Sequence, residues 1–334
     1  MIKVALVGYG YWGPNLLRNF IETPNCDVVY CCDVDETKLD LAKKRYPFIT
    51  TTTNYKDILN DKSIDAIIIA TPVKYHYKLA KDAIISGKHV LIEKPMTIKY
   101  LEGKKLCALA KKHKKIIMVD HTFLYNEAVD KIKELISSPD FGKILYIDST
   151  RANLGLFQTD INVLYDLAPH DFSIVNYLLN SGPTSVQSYG KSHFNSQEDV
   201  SYIFAEYPNG VFVHFHLSWL SPLKIRKMII VGIKKMLVYD DTKPSEKIKV
   251  YDKGVSLEKE GTKKANEIKI GYRSGDVWLP DLKTSEPLAK MAGEFIKSIS
   301  TNTQPISSGA FGVEIVKVLE KSTKSLRTGR KIYI

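Results

Sequence analysis

The chain has no run of about 18 apolar residues, so no part of it is expected to cross a membrane. Cysteine is scarce: four occur, at positions 26, 31, 32 and 107, and none stands in a C-x-x-C spacing. Cys31 and Cys32 are neighbours on an expected strand and so face opposite sides, which suits reduced, buried thiols and a cytoplasmic location. The strand expected from Ile2 leaves no stretch before it for the charged and apolar regions of a secretion leader, so secretion is not expected. There is no internal repeat and no low-complexity segment. Acidic side chains are the scarcer charged class, 37 against 48 basic ones, giving a net charge of +11. The densest basic cluster, KKHKK at 111–115, lacks interleaved aromatics, and the other lysines are spread along the chain. Nucleic-acid binding is therefore not expected, and a positive field that attracts an anionic substrate is.

What is present is an ordinary globular composition, 44% hydrophobic and 25% charged over 334 residues, enough for two cores. Residues 1–121 alternate strand and helix, which predicts a doubly wound parallel sheet of the Rossmann type. Expected strands are Ile2–Val7, Val28–Asp33, Ala66–Ala70, Val90–Glu93 and Ile116–Val119. Residues 122–334 read differently. Helices are expected over Asn126–Ile136, Asp171–Leu179, Ala289–Ser300 and Gly312–Leu326, with hairpin-rich strands between, including a turn at Tyr207-Pro208-Asn209-Gly210. That pattern predicts an α+β domain on a mostly antiparallel, open sheet. Strands from about Val186 to Tyr239 carry aromatic and aliphatic side chains on both faces, too many for the later helices to cover. One face is thus expected to pack on another subunit, as a homodimer or homotetramer. The polar stretch 252–267 is expected to be a mobile loop, and "RKIYI" a closing strand.

The first strand runs into GYGYWG, residues 8–13. Gly8, Gly10 and Gly13 form G-x-G-x-x-G around Tyr11 and Trp12, at the turn into a helix that Pro14 suits in its first turn. Such a turn brings a pyrophosphate against backbone amides and a helix N-terminus. Asp33 ends the second strand about 20 residues beyond Gly13, where a carboxylate meets an adenosine ribose. With Asp35 close behind and no arginine beside them, NAD is expected over NADP.

Two further stretches carry chemistry. Glu93-Lys94-Pro95 ends an expected buried strand, where a lysine either snorkels to water or serves an anionic partner or a reaction. Asp166 and His170, four apart, share a face if the backbone is near helical. Pro169 is expected to begin a new helix, putting His170 in its first turn, where the dipole favours a neutral imidazole. Asp171 is expected to be a partner of that dipole.

These features in this order resemble the glucose–fructose oxidoreductase/inositol dehydrogenase (Gfo/Idh/MocA) family. The resemblance rests on the glycine motif, Asp33, Ala70-Thr71-Pro72 with His76, Glu93-Lys94-Pro95 and Asp166-x-x-x-His170. It implies that Lys94 and His170 are the catalytic pair, with Asp166 assisting, and that Thr71, Pro72, His76 and Glu93 line the cofactor site. It departs from the family pattern at Ala168 and Pro169, and in lacking an arginine within "VDHTFLYN". Oxidation of a secondary alcohol needs a base and an alkoxide stabiliser on one oxygen, and His170 and Lys94 meet that need. "GYGYWGPN" and "DLAPHD" resemble the branch that makes unusual surface-polysaccharide sugars, which implies a nucleotide-linked amino sugar or uronate as substrate. Arg151, Lys191, Arg226 and Arg273 are the cations expected to meet its diphosphate. The competing readings are a dehydrogenase of a free polyol such as inositol and a non-catalytic NAD-binding sensor. A metal site at His214 and His216 is not expected, because no third ligand has evident spacing.

Overall fold

The computed structural model describes residues 1–155, 157–158, 161–194, 196–259 and 268–334. They form two units, residues 1–126 with 285–320, and residues 127–284 with 321–334.

The first unit opens with β1 (Ile2–Val7), α1 (Gly13–Glu22), β2 (Cys26–Cys32), α2 (Glu36–Arg45), β3 (Thr50–Thr52) and α3 (Tyr55–Asn60). It continues through β4 (Ala66–Ile69), α4 (His76–Ile85), β5 (His89–Glu93), α5 (Tyr100–His113) and β6 (Ile117–Asp120). The strands pair in the order β3-β2-β1-β4-β5-β6, all parallel. β4 and β6 are buried at every position, and β5 at all but its first. Strands buried this continuously are stable only with helices over both sheet faces. The order reverses between β1 and β4, so the crevice for a ligand lies beyond the C-terminal ends of those two strands. Asp35 starts α2 by accepting the Thr37 N–H at 3.0 Å, and Lys43, Lys44 and Arg45 end it against its negative pole.

The second unit comprises α6 (Glu127–Ser137), β7 (Ile144–Leu154), α7 (Val163–Leu179), β8 (Ser185–Lys191), β9 (Val200–Glu206) and β10 (Phe212–Ser218). β11 (Leu220–Gly232), β12 (Met236–Asp240), β13 (Ile248–Lys259) and β14 (Ile268–Trp278) follow. The chain then runs through α8 (Pro287–Thr301) and α9 (Gly309–Thr328) to β15 (Ile332–Tyr333). The nine-stranded sheet has the order β14-β13-β12-β11-β7-β10-β9-β8-β15, antiparallel except where β10 runs parallel to β7. Asn209 and Gly210, at φ +64° and +74°, make the β9–β10 turn. Alternation sends Ile203, Ala205, Val213, Phe215 and Leu217 to the buried face, where Phe172 of α7 meets Phe215 at 4.4 Å between ring centroids. Tyr202, Phe204, Phe212, His214 and His216 stand on the opposite face.

Three expectations change. The boundary at residue 121 does not divide the chain into two continuous pieces, because residues 285–320 return to the first unit. Phe295 of α8 packs edge-on against Phe20 of α1 at 6.1 Å, and Glu286 takes the Asn19 side-chain N–H at 3.0 Å and pairs with Arg18. The 252–267 stretch is not a loop throughout: β13 extends through Lys259, and residues 260–267 lie outside the described ones. The helix expected from Asp171 begins at Val163, because Asn162 caps it by accepting the Tyr165 N–H at 3.0 Å. His170 therefore lies mid-helix, well past the first turn, with Pro169 inside the helix, and the dipole argument does not apply to it.

Candidate active site

The turn after β1 is shaped by glycines at two positions. Gly8 has φ +101°, and a Cβ there would lie 2.5 Å from the Ala70 carbonyl oxygen. At Gly13 a Cβ would lie 2.3 Å from the Gly8 oxygen, so helix and strand close together only without one. Gly10 differs: no atom comes within 4 Å of a Cβ placed there. The backbone at Gly10 thus borders open space, as a cradle for a pyrophosphate must. Trp12 precedes α1 without a side-chain cap, and Tyr11 and Trp12 are exposed and packed edge to face at 5.6 Å. Pro14 has no N–H and the Asn15 N–H donates to the Trp12 oxygen at 3.0 Å, so among the described residues the Gly13 amide is the first-turn donor left for an anion.

Asp33 is fixed by backbone donors. Its Oδ2 accepts the Tyr9 N–H at 2.6 Å and its Oδ1 the Asp35 N–H at 3.0 Å, which orients the carboxylate at the end of β2. Each carboxylate oxygen retains a further lone pair for a ribose hydroxyl. Sequence reasoning noted the missing arginine and passed over Lys38, whose Nζ lies 3.9 Å from Asp33 and 3.8 Å from Asp35. Its charge is already met by two carboxylates.

Beyond β4, His76 is buried, with Nδ1 3.0 Å from the Pro95 oxygen and Nε2 2.7 Å from the Thr71 oxygen. A neutral ring carries a single N–H, so it donates to one of these two carbonyls while lying between the Thr71-Pro72 turn and the segment after Lys94. Burial pushes this imidazole down.

Lys94 is half-buried at the end of β5, and its backbone N–H donates to Glu93 Oε2 at 3.1 Å. Glu93 sits opposite Asp120 in the β5–β6 register, and both are buried. Burial, then the Asp120 charge, holds Glu93 well above the usual carboxylate range, and burial pushes Asp120 up as well. The next residue, His121, is buried edge-on against Phe311 at 5.5 Å, and neither ring nitrogen has a protein partner among the described residues. Burial, then the Lys94 charge, pushes its imidazole down to about 3. Sequence reasoning missed Asp120 and His121, although their place at the C-terminal end of a parallel strand was a usable signal.

In the second unit, Asp166 and His170 lie one turn apart on α7, both half-buried. Trp219, buried after β10, donates its indole N–H to Asp166 Oδ2 at 3.1 Å. A Cβ at Gly155 would press on that indole at 2.7 Å, so glycine leaves room for the ring. Neither residue was singled out from sequence.

Arg151 is not available to a diphosphate. It is 5% exposed and donates to both Asp171 oxygens, at 3.0 and 2.9 Å. Asp171 is thus the partner of a buried guanidinium, rather than of a helix dipole. Arg226 pairs with Asp241 at 3.4 Å, Arg273 pairs with Asp252, and Lys191 is exposed. Asp148 Oδ1 lies 2.8 Å from His214 Nδ1, and Tyr202 stacks on both imidazoles, at 4.6 Å from His216 and 6.0 Å from His214.

Comparison with known proteins gives the family and the fold. Residues 2–121 match the family described as oxidoreductase family, NAD-binding Rossmann fold, and residues 129–238 match the Gfo/Idh/MocA C-terminal domain. The chain is 31% identical over 182 residues to an uncharacterized oxidoreductase, YdgJ, of Escherichia coli, covering 51% of each chain. It is 24% identical over 194 residues to an inositol 2-dehydrogenase of Salmonella typhimurium, covering 56% of this chain and 57% of that one. These matches span about half the length of the curated relatives. Among solved structures, UDP-N-acetylglucosamine 3-dehydrogenase GnnA from Acidithiobacillus ferrooxidans superposes with a TM-score of 0.82 at 19% identity, covering 97% of both chains. At that identity the likeness concerns the fold.

Proposed function

The chain belongs to the Gfo/Idh/MocA oxidoreductase family and has its NAD-binding Rossmann domain, and on that premise we propose that it moves a hydride between a sugar secondary alcohol and NAD. The observation that carries this reading is the pair Asp166 and His170 on one face of α7, with Asp166 anchored by Trp219. A base set on a rigid helix can take a hydroxyl proton as the carbon loses its hydride. His170 is that base, and Asp166 orients it or a neighbouring hydroxyl. Lys94 places a positive donor on the developing alkoxide. NAD, when bound, supplies the hydride acceptor. The Gly8–Gly13 turn and the α1 N-terminus hold its pyrophosphate, Asp33 its adenosine ribose, and Thr71, Pro72 and Glu93 border the nicotinamide half. We place the enzyme in the cytoplasm, as a homodimer or homotetramer.

The preferred substrate is a nucleotide-linked amino sugar or uronate of surface-polysaccharide biosynthesis. The net charge of +11 and the fold shared with a UDP-N-acetylglucosamine dehydrogenase support it. A free polyol is the second reading. It is favoured by the burial of Arg151, which removes one of the cations a diphosphate would need. The test is to offer UDP-N-acetylglucosamine, its uronate, free sugars and inositols with NAD or NADP and to follow reduced cofactor. Turnover of a UDP-sugar with NAD is expected. Turnover of inositol with no binding of any UDP-sugar selects the second reading, and NAD binding with no turnover of any alcohol points to a sensor.

A further inference from the structure

The β8–β9 loop is built around a carboxylate that no step above uses. Asp199 is buried and its backbone is held on both sides: its N–H donates to the Lys191 oxygen at 3.0 Å, and its oxygen accepts the Trp219 N–H at 2.9 Å. Its side chain faces His193. Oδ2 accepts the His193 backbone N–H at 2.7 Å, and Oδ1 lies 2.6 Å from His193 Nδ1. An ionised carboxylate only accepts, so the proton between them belongs to Nδ1. A neutral imidazole has no second N–H. Nε2 is then a lone pair, without a protein partner among the described residues, on a side chain that is 47% exposed.

The loop is fastened to the helix that carries Asp166 and His170. The Glu198 backbone oxygen accepts the Val163 N–H at 2.9 Å, and its Oε2 accepts a side-chain N–H of Asn162, the cap of α7, at 2.8 Å. Trp219 binds Asp199 through its backbone and Asp166 through its indole. A ladder of rings leads from that indole to the loop: Phe157 lies 5.6 Å from Trp219, and Phe194 stands edge-on to Phe157 at 5.7 Å while 74% exposed. Lys191 is exposed and, unlike Arg151, Arg226 and Arg273, has no acidic partner among the described residues. Of the loop's two carboxylates, Asp199 is enclosed with both oxygens engaged, and Glu198 is engaged by Asn162.

We propose that this loop takes the nucleotide half of a nucleotide-linked sugar, with Lys191 meeting the phosphate charge, His193 Nε2 accepting a ribose hydroxyl and Phe194 stacking on the base. Asp199 is a positioning residue that acts through His193. A cation, an acceptor and an exposed aromatic face match the three parts of a nucleotide in kind. A free polyol has neither a charge for Lys191 nor a flat ring for Phe194. This assignment rests on the reading of Asp166 and His170 as the alcohol end of the site, and it selects the nucleotide-linked class within that reading.

The test is a calorimetric titration of UDP into the full chain saturated with NADH, so that UDP cannot enter the cofactor's own phosphate cradle. The wild type is expected to bind UDP. Phe194→Ala is expected to weaken UDP about five- to a hundredfold, the range that base–aromatic stacking covers. Lys191→Ala is expected to weaken it and to flatten its dependence on salt. His193→Phe is expected to weaken it too, and His193→Gln, which keeps an acceptor, to recover part of that loss. NADH affinity and Tm stay at wild-type values in all four, whereas a merely structural role for these side chains would lower Tm and leave UDP affinity alone. Wild-type UDP affinity in Phe194→Ala and Lys191→Ala overturns the subsite, and turnover of UDP-N-acetylglucosamine by the same protein then shows that the nucleotide-sugar reading survives. A wild type that binds no UDP also overturns the subsite, and NAD-linked turnover of inositol then shows that alcohol oxidation stands without it.

Discussion

Gly8 and Gly10 lie two residues apart and meet different demands. At Gly8 the positive φ and the nearby Ala70 oxygen make any side chain a folding problem. At Gly10 the space is open, so an added methyl group meets only what binds there. Gly8→Ala is therefore expected to lower Tm markedly, whereas Gly10→Ala keeps Tm and weakens NADH binding by tenfold or more, about 1.4 kcal/mol. Calorimetry and a fluorescence titration of NADH separate the two, and equal binding by Gly10→Ala would remove the cradle from the site. His121 gives a pH signature of its own. Its folded-state value is about 3 against an ordinary 6.5, so between those pH values the unfolded chain takes up a proton that the folded chain refuses. Stability is whole above that window and falls as pH drops through it, by up to about 1.4 kcal/mol per pH unit for such a histidine. His121→Phe, which can keep the edge-on contact with Phe311, is expected to flatten the fall of Tm between pH 6.5 and 4. Superimposable Tm–pH curves for the variant and wild type would contradict this.

α7 shows what the sequence could and could not reveal about an element. The four-residue spacing of Asp166 and His170 was legible, because helical spacing is local. The start of the helix was misjudged, since Pro169 is a stronger local signal than the Asn162 cap that the structure uses. The parallel sheet and the glycine turn were readable from apolar runs and chain order. The return of α8 to the first unit was not, because Phe20 and Phe295 are far apart in sequence and meet only by tertiary packing. Arg151 and Asp171 were misread for the same reason: each looks like a surface charge until β7 and α7 enclose the pair. That pair bonds the sheet to the helix carrying His170. Asp171→Ala leaves a guanidinium buried without its carboxylate and is expected to cost about 3–5 kcal/mol in denaturant unfolding. A loss below about 1 kcal/mol would mean that water reaches Arg151 and screens its charge.

For the molecule as a whole, the outer face of the second-unit sheet argues for self-association. Tyr189, Tyr202, Phe204 and Phe212 are exposed together there, with His214 and His216 stacked among them. Apolar surface of this kind is costly to leave in water. Sedimentation at micromolar concentration is expected to give a dimer or tetramer, and Phe204→Lys to shift it toward monomer; a monomeric wild type would refute the interface. The central claim, NAD-linked alcohol oxidation using Lys94 and His170, is tested most directly by measuring NADH affinity and kcat together in Lys94→Ala and His170→Ala, with whichever alcohol the wild type oxidises. Each variant is expected to bind NADH nearly as the wild type does while kcat falls by about 10²–10⁴. Wild-type kcat in both variants would contradict the assignment.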